Sequence, residues 1–473
     1  MSNRQNSEPT ELPTYNKWVI MLVLLSGAFL AILNQTLLAT ALPHIMDDLQ
    51  LEYYVAQWIQ SIFMLVNGIM IPITAFLIGR FTTRRLFITA LGLFAIGTII
   101  CALTPNFSLL IVGRILQASG AGIIMPLMQT ILFLIFPSDK RGTAMGMFGL
   151  VIAFAPAIGP TLSGWMVEHY PWRSLFYIIL PIVIIDIVVA YFILKNVTKQ
   201  TFPKLDMLSI VLSTLGFGGL LYGFSAAGGD QGWANLSVIL SLIVGAITLT
   251  WFIFRQLKLE EPILEFGVFK YKIFTLTTIL GMAVFIAMIG SMVILPLLMQ
   301  DMLGFSAIES GLALLPGAVV MGLMNPITGR LFDRFGAKWL SIIGLSILVI
   351  TTFMFTILTT ETTFTYIAGL NAIRMFGIAM VMMPVTTAGL NELPIGIIPH
   401  GTAMSNTMRQ VAGAVGTALM VTVMSNSSNP AEGLQGLIHG VNVSFIVAGI
   451  FSIIALLLSF FIKKSGAVAA ESN

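Results

Sequence analysis

The stretch Gly329-Arg-Leu-Phe-Asp-Arg-Phe-Gly-Ala-Lys338 lies between two long apolar runs, and it decides how the chain is divided. A related stretch, Ala75-Phe-Leu-Ile-Gly-Arg-Phe-Thr-Thr-Arg84, stands 254 positions earlier (329 − 75) between apolar runs of its own. The two copies share a leucine, an arginine and a final basic residue, but the earlier copy lacks the acid and both glycines. A short basic loop repeated in this setting indicates a membrane protein made of two related halves.

Composition supports this interpretation. Hydrophobic residues make up 57% of the chain and charged residues 9%, whereas a soluble domain carries about 25% charged residues. The sequence therefore predicts a polytopic α-helical membrane protein. The net charge of +3 reflects where lysines and arginines are placed and does not indicate a nucleic-acid partner. The single cysteine, Cys101, excludes an internal disulfide.

Several runs of about 20 apolar residues are long enough to cross the hydrocarbon layer. The first run follows the polar residues 1–17 and is too long for a signal peptide, so we interpret it as the first span. We place fourteen spans near 18–42, 55–79, 86–104, 107–136, 142–167, 174–194, 207–226, 235–254, 273–299, 308–329, 338–359, 364–389, 402–425 and 441–462.

The lysines and arginines test this count. If both termini are cytoplasmic, all 23 of them fall in cytoplasmic segments except Arg114, Arg173, Arg374 and Arg409. Adding or removing one span would destroy this separation. The positive-inside bias therefore predicts fourteen spans with both termini in the cytoplasm.

The repeat also predicts the domain organisation. Residues 18–195 are expected to form an N-terminal six-helix bundle and residues 273–462 a C-terminal one. Residues 196–272 should contain two additional membrane helices with their flanking linkers. The tails 1–17 and 463–473 are predicted to be cytoplasmic.

Four charged residues fall inside predicted spans, where an ionisable group costs at least ~2.5–3.5 kcal/mol. Asp186 is the first candidate for proton coupling, because desolvation penalises its charged form; the alternative is a neutral acid that only packs helices. Arg114 could bias the protonation of a nearby acid or accept an anionic group, or it could be structural. Arg374 resembles a counterpart of Arg114 in the second half. Arg409 lies nearer the cytoplasmic end, where its side chain could instead extend to the membrane surface.

Other polar and flexible residues are candidates for a cavity. Asn34 and Gln35 place uncharged polar groups in the first span, where they could line a cavity or join helices. Adaptable methionines suit a pocket for varied apolar ligands. Glu309, at the outer mouth, is a further candidate for proton coupling. The cavity candidates are Asn34, Gln35, Gln117, Met125, Arg374, Met383, Asn406 and Arg409.

The fifth span holds two prolines and two glycines, at Pro156, Gly159, Pro160 and Gly164. Prolines remove helix hydrogen bonds, and glycines allow close helix approach, so this pattern favours a moving or gating helix over a purely structural kink. The sequence shows no enzyme constellation. It lacks a phosphate-binding loop ending in Gly-Lys-Ser/Thr, and its four histidines have no metal-site spacing.

Three stretches of the sequence resemble the signature motifs of a known family. Gly329–Lys338, Arg114–Gly122 and the Gly159-Pro160 helix resemble three signature motifs of the major facilitator superfamily, the third being associated with its antiporters. Fourteen spans, with Trp172–Phe176 and Leu303–Pro316, resemble the fourteen-helix drug:proton antiporter family of EmrB/QacA type, in particular lincomycin-resistance-type exporters. The resemblance implies conformational roles for Arg80, Arg84, Pro156, Gly159, Pro160, Gly164, Gly329, Asp333, Arg334, Gly336 and Lys338.

The resemblance implies proton-driven export of amphipathic compounds, by rocking of two bundles around a central cavity. The proton would be the coupling ion, and no cofactor, metal or nucleic acid is expected. The partners would be the lipid bilayer and small amphipathic drug-like molecules, and the protein would be a monomer of a bacterial plasma membrane. The alternatives are an exporter of an endogenous lipid, peptide or metabolite, and a non-transporting receptor or assembly protein with the same fold.

The chain departs from the family pattern at two positions. Many relatives carry an acid in the first span where this chain has Asn34, so that coupling site is not carried over. Gly79 stands where the motif has aspartate, whereas Asp333 retains the acid in the second half. If the two copies latch the cytoplasmic side, we expect Asp333 to carry more of the latch.

Overall fold

The computed structural model describes residues 16–198, 200–228 and 232–462. The predicted tails, 1–17 and 463–473, lie almost entirely outside these residues. The described part is helical without strands, which confirms the predicted all-α fold. Its fourteen long helices are α1 (Lys17–Leu49), α2 (Trp58–Arg80), α3 (Thr83–Leu103), α4 (Phe107–Ile135), α5 (Arg141–His169), α6 (Ser174–Ile193), α7 (Met207–Ala227), α8 (Leu236–Gln256), α9 (Lys272–Leu297), α10 (Ala307–Phe335), α11 (Ala337–Met354), α12 (Phe364–Asn391), α13 (Ile398–Ser427) and α14 (Gly433–Ser459).

Most helix ends lie within a few residues of the predicted spans, but α1 is longer. It continues to Leu49, past the predicted end at residue 42 and through Pro43. Its 33 residues measure about 50 Å at 1.5 Å per residue, more than the roughly 30 Å hydrocarbon core. Hydropathy detects only the apolar part of such a helix.

Thirteen of the fourteen helices are long and apolar enough to cross a membrane on their own composition. The exception is α13, which has 30 residues but a lower apolar content. Its polar side chains include Asn406, Arg409 and Gln410, which line a cavity described below. A membrane helix can carry such groups when they face the protein interior instead of lipid.

The repeated basic stretch is mostly helical and not a loop, contrary to the sequence interpretation. Gly329–Phe335 forms the last turns of α10, and the chain turns into α11 at Gly336, whose φ of 76° favours glycine. The earlier copy turns between α2 and α3 through Phe81 and Thr82 with negative φ angles. That corner needs no glycine, which explains why this copy can lack one.

The helices pack as two groups, α1–α6 and α9–α14, which meet along two seams. At one seam α5 packs directly against α10. At the other, α2 packs directly against α13, and α7 contacts both of these helices, while α8 packs on α7. The two seams are therefore unequal, because in the described residues an additional helix packs on only one of them.

The base of the α7–α8 pair is held by a polar network. Arg255 Nε and Nη2 donate to Asp206 Oδ2 and Oδ1 at 2.8 and 3.1 Å. Ser209 Oγ donates to the same carboxylate at 2.6 Å and accepts from Gln256 Nε2 at 2.6 Å. Hydrogen bonding by Arg255 lowers the pKa of the Asp206 carboxyl to about 2. Asp206 therefore stays ionised near neutral pH and is a poor proton carrier.

Candidate functional site

A cavity of about 1210 Å³ lies between the two helix groups. It reaches the face opposite the basic stretches, where the exposed Trp165, Glu168 and Ile308 border it. Toward the other end it stops near Gly149, Asn325 and residues of α13. The cavity is thus open at one face and closed at the face that carries most lysines and arginines, which we call the basic face.

The cavity wall is largely apolar, with isolated polar groups. Asn67, Asn325 and Asn371 line it, and each has a buried amide atom without a hydrogen-bond partner in the described residues. Two lining residues are charged: Glu168 at the mouth and Arg409 near the closed end. An apolar wall with a few convergent polar groups is typical of small-molecule sites.

Five of the eight predicted cavity residues line this space, namely Gln35, Met125, Met383, Asn406 and Arg409. The other three, Asn34, Gln117 and Arg374, are buried between helices and do not border it. Asn34 is buried with both amide atoms unpartnered in the described residues. Its position on α1 is adjacent to the lining residue Gln35.

Arg114 is completely buried and bound to neighbouring helices. Its Nε donates to the Ile59 carbonyl at 3.0 Å, its Nη1 donates to Gln117 Oε1 at 3.0 Å, and its guanidinium lies 4.2 Å from the Phe63 ring centre. Gln117 Nε2 donates in turn to Thr98 Oγ1 at 2.9 Å. The described residues give Arg114 no carboxylate partner. No acid in the described ranges is therefore in salt-bridge contact with Arg114.

Arg374 has the equivalent place in the second group, on the fourth helix. Its Nη2 donates to the Ala287 carbonyl at 2.6 Å and its Nε donates to Thr352 Oγ1 at 3.3 Å. Like Arg114, it is fully buried and binds a backbone carbonyl of a neighbouring helix. This agreement supports the predicted correspondence between the two arginines.

Asp186 is the one carboxylate among the fully buried residues in the described part, with 5% of its surface exposed. It lies on α6 and faces α1, away from the cavity lining. Its Oδ1 is 2.8 Å from Ser26 Oγ, which is also 2.8 Å from the Val23 carbonyl oxygen. Its Oδ2 is buried without a partner in the described residues.

The contacts of Ser26 show which protonation state of Asp186 fits the local hydrogen bonds. Ser26 has one hydroxyl hydrogen, so it cannot donate to the carbonyl of Val23 and to Asp186 at once. Both contacts are satisfied together when Asp186 carries a proton and donates it to Ser26 Oγ. The geometry therefore accommodates a neutral carboxylic acid at this position.

Glu309 has a local structural partner. Its Oε2 accepts from the backbone nitrogen and Oγ of Ser306 at 2.8 and 2.9 Å, while its own nitrogen donates to Ser306 Oγ at 3.2 Å. This is a capping box, which satisfies free N–H groups at the start of α10. Glu309 is exposed at the end of the molecule where the cavity opens.

The closed end of the cavity is sealed by hydrogen bonds between the two groups. Asn406 Nδ2 on α13 donates to Gln129 Oε1 on α4 at 2.7 Å. The hydroxyls of Thr130 and Thr402 lie 2.7 Å apart. Nearer the basic face, Arg141 Nη1 donates to Asn391 Oδ1 at 2.8 Å. These bonds close the path from the cavity to the basic face.

Asp333 makes the most concentrated contact across the α5–α10 seam. Its Oδ1 accepts from the Gly142 nitrogen at 2.7 Å, and its Oδ2 accepts from the nitrogen and Oγ1 of Thr143 at 2.8 and 2.6 Å. These donors belong to the first turn of α5, where N–H groups are free and the helix dipole favours a negative charge. We call this contact the Asp333 latch.

The other residues of the later copy do not join the latch. Gly329 packs against α5, as described below, and Gly336 forms the corner. The Arg334 guanidinium lies 5.2 Å from the ring centre of its neighbour Phe335. Neither Arg334 nor Lys338 forms a salt bridge within the described residues.

The earlier copy of the basic stretch faces a linker instead of the opposite helix group. Arg80 Nη1 donates to the Pro203 carbonyl at 3.3 Å, and Arg84 Nε donates to the Leu194 carbonyl at 2.5 Å. The Gly79 carbonyl accepts from the nitrogens of Thr201 and Phe202. This copy therefore anchors the segment that leads to α7.

Small residues bring α5 and α10 into backbone contact. Gly142, Gly146 and Gly149 lie on one face of α5 and meet Gly329 and Asn325 of α10. A Cβ atom on Gly142 would lie 2.5 Å from the Gly329 carbonyl oxygen, and one on Gly146 would lie 2.5 Å from that of Asn325. Close helix approach through small residues is a common way to pack membrane helices.

The proline and glycine motif of α5 divides between two faces. Pro156, Pro160 and Gly164 line the cavity, whereas Gly159 packs against Thr36 of α1. The helix continues through both prolines to His169. The motif therefore shapes the cavity wall as well as the contact with α1.

Three features of the site were missed from the sequence. Glu168 follows Pro160 and Gly164 at four-residue spacing, so it continues the cavity face of the motif and could have been found. Tyr222 of α7 lines the cavity and stacks on Trp58 with ring centres 5.8 Å apart. Gln129 joins the two groups through Asn406. The last two depend on helix placement, which no local pattern shows.

Comparison with known sequences finds relatives that are described as transporters or resistance proteins. A profile described as Major Facilitator Superfamily matches residues 24–417. The chain is 55% identical over 457 residues to the uncharacterized MFS-type transporter YcnB of Bacillus subtilis (strain 168), covering 96% of this chain and 97% of that protein. It is 42% identical over 451 residues to the lincomycin resistance protein LmrB of Listeria innocua, covering 93% and 96%.

Among solved structures, the proton:xylose symporter XylE bound to 6-bromo-6-deoxy-D-glucose superposes with a TM-score of 0.67. The match covers 95% of this chain and 96% of that chain at 14% sequence identity. At this identity the likeness concerns the fold.

Proposed function

Because the chain belongs to the Major Facilitator Superfamily of membrane transporters, we propose that it exports amphipathic drug-like molecules in exchange for protons. It is a multi-pass membrane protein and not an enzyme, as predicted. The observation that carries the proposal is the cavity of about 1210 Å³ between the two helix groups, open at one face and sealed at the other.

The shape and chemistry of the cavity favour varied amphipathic substrates. Methionines 125, 288, 321, 375, 382 and 383 line it, and these flexible side chains adapt to ligands of different shape. The polar residues Asn67, Asn325 and Asn371 line the wall at separate points. The similarity to a lincomycin resistance protein supports drugs as substrates.

The different states of the two ends of the cavity support transport by alternating access. With the basic face in the cytoplasm, this structure is the outward-facing state, and the Asp333 latch holds the cytoplasmic side closed. Export requires the latch and the Gln129–Asn406 bond to open while the mouth closes. A ligand drives such a change only to the extent that it binds the two states with different affinity.

Proton coupling is assigned to Asp186. It is buried between α1 and α6, accommodates a proton beside Ser26, and has a second oxygen without a partner in the described residues. A carboxyl group that gains and loses a proton between two states can couple the proton gradient to the conformational cycle.

Flux measurements on reconstituted protein test the proposal. Proteoliposomes with an imposed pH gradient are given lincomycin and a panel of cationic, neutral and anionic amphipathic dyes. We expect accumulation of some of these compounds that stops when nigericin dissipates the gradient, and release of protons from the lumen on substrate addition. Flux that is unaffected by the gradient would contradict proton exchange, and no flux of any compound would contradict export.

The Asp333 latch gives a prediction for the conformational balance. Asp333→Ala removes three hydrogen bonds to the start of α5. A hydrogen bond to a charged group contributes about 1.5–3 kcal/mol, so the ratio of outward- to inward-facing molecules should fall at least about tenfold. Spin labels at Trp165 and Ile308, on the two sides of the mouth, would report this ratio as a distance distribution.

Two variants serve as controls for the latch. Arg334→Ala changes the adjacent exposed residue, which makes no salt bridge in the described part, and should leave the distribution unchanged. Gly79→Ala alters the equivalent position of the earlier copy and should have a smaller effect than Asp333→Ala. An unchanged distribution in Asp333→Ala would show that the latch does not stabilise the outward-facing state.

A further inference from the structure

Within the described helices three arginines are buried, and one differs from the others. Arg114 and Arg374 are bound to backbone carbonyls of neighbouring helices and do not border the cavity. Arg409 borders the cavity, although only 9% of its surface is exposed. Its one hydrogen bond to a described residue is the 2.9 Å bond from Nη2 to Asn406 Oδ1. Most of its donor capacity is therefore unused.

Asn406 fixes the position of this arginine. The Asn406 amide nitrogen donates to Gln129 Oε1 at 2.7 Å and to the Thr402 carbonyl at 2.8 Å. Because both donors of the amide are committed, its oxygen must face Arg409. The guanidinium is thus held in place by the same hydrogen bonds that seal the cavity from the basic face.

A small recess borders two of the cavity residues, Met382 and Arg409. Its volume is about 10 Å³, and Thr277, Thr278, Thr386 and Ser405 line it together with Arg409. The hydroxyls of Thr278 and Ser405 have no hydrogen-bond partner in the described residues, so they are available as donors. The recess has space for about one oxygen-sized group.

The charge of Arg409 is not balanced nearby. Arg409 takes part in neither of the two salt bridges formed by the described residues. The other charged lining residue, Glu168, lies at the mouth, one residue before the end of α5. An unpaired cation in an apolar site is costly, and an anion that reaches it with hydrogen bonds recovers part of that cost.

We propose that Arg409, with Thr278 and Ser405, binds the anionic head group of amphipathic organic acids in the cavity. This inference rests on the proposed export function and names a substrate class for the same cavity. One oxygen of a carboxylate or sulfonate enters the recess, and the guanidinium donates to the other. The apolar body of the ligand then extends toward the mouth, along Phe285, Met288 and Met321.

A matched pair of ligands tests this assignment. Dansyl-leucine carries a free carboxylate, and its methyl ester has the same apolar body without the charge. Binding to the purified protein in dodecyl maltoside is measured by the dansyl fluorescence change, which does not require transport. We expect the wild-type protein to bind the acid at least about tenfold more tightly than the ester, as charge-assisted hydrogen bonds are the stronger ones.

Two substitutions separate charge from folding. Arg409→Gln should remove the preference for the acid, so that acid and ester bind with similar affinity, and saturable binding of the ester would show that the cavity remains folded. Arg409→Lys keeps the charge and should retain a preference for the acid. Equal binding of acid and ester by the wild-type protein, no binding of either, or a preference that survives in Arg409→Gln would overturn the proposal.

Further measurements distinguish a bound lipid from an organic acid, and failure of this site from failure of export. If an excess of phosphatidylglycerol, but not phosphatidylcholine, displaces dansyl-leucine from the wild-type protein, the anionic occupant is a lipid, and assignment to organic acids is overturned. Failure of gradient-driven flux with normal acid preference would contradict the export function alone. Normal flux of neutral drugs without an acid preference would contradict this site alone.

Discussion

Replacing Asp186 by asparagine should abolish substrate-driven proton release while substrate exchange without a gradient continues. Asparagine has the size of a protonated aspartate, and its amide can still donate to Ser26 Oγ. The buried contact between α6 and α1 is therefore kept. An amide cannot take up or release a proton, so the variant should cycle with substrate but lose coupling.

The measurement uses proteoliposomes that hold a pH gradient reported by a quenched acridine dye. Wild-type protein should relieve the quenching when substrate is added, and Asp186→Asn should give the background signal of empty liposomes. Counterflow of labelled substrate in the same preparation, without a gradient, should stay within a few-fold of wild type. That result would show that the variant is folded and binds substrate.

Glu168→Gln is the matched control, because Glu168 is the acid that lines the cavity. If Asp186 is the coupling group, Glu168→Gln should still release protons on substrate addition. Proton release that survives in Asp186→Asn but disappears in Glu168→Gln would move the coupling role to the cavity mouth. Retained release in both variants would contradict a coupling role for either acid.

Gly329→Leu should reduce gradient-driven transport by more than about tenfold. A Cβ atom on Gly329 would lie 2.9 Å from the Gly142 carbonyl carbon and 3.1 Å from the Gly146 Cα atom, so the side chain would meet the backbone of α5. The backbones of α5 and α10 would have to separate, which opens the Asp333 latch. Overpacking of this kind costs about 1–3 kcal/mol or more.

Transport rate and state distribution are measured together for this variant. Gly329→Ala should give an intermediate loss, because one methyl group requires a smaller separation than leucine. Gly92→Leu on α3 is the control, since a Cβ atom there has nothing within 4 Å. Wild-type transport by Gly329→Leu would mean that this seam need not close during the cycle.

Much of the fold could be predicted because its signals are local. The apolar runs predicted all fourteen spans, and the distribution of lysine and arginine supported that count, although α13 is less apolar than the other thirteen helices. The boundaries were less predictable: the helical character of Gly329–Phe335 was missed, since charged residues at the end of a membrane helix resemble a loop. Helices extend past the apolar layer that hydropathy detects.

The site was predictable only in part, for a physical reason. Residue type marked Arg409, Asn406, Met125 and Met383, because polar or adaptable side chains in a span favour a cavity. Residue type alone could not show that Arg409 lines the cavity and Arg374 does not. Both are arginines in apolar helices, and only the packing of the helices determines which of them faces the cavity. The roles predicted for Asp186, Arg114 and Glu309 in proton coupling stay predictions.

Because the two seams are unequal, the inward-facing state cannot be deduced from this outward-facing structure by symmetry. In a transporter with two equivalent seams, an inward-facing structure can be built by giving each half the conformation of the other. Here α7 packs on both helices of the α2–α13 seam, with Leu221 against Gly68 and Gly228 against Ala418, and in the described part of the chain no additional helix packs on the α5–α10 seam in this way. The internal two-fold symmetry of the sequence is therefore broken in space. We expect one seam to pivot on its glycines while the other slides over α7, so the inward-facing state must be determined directly.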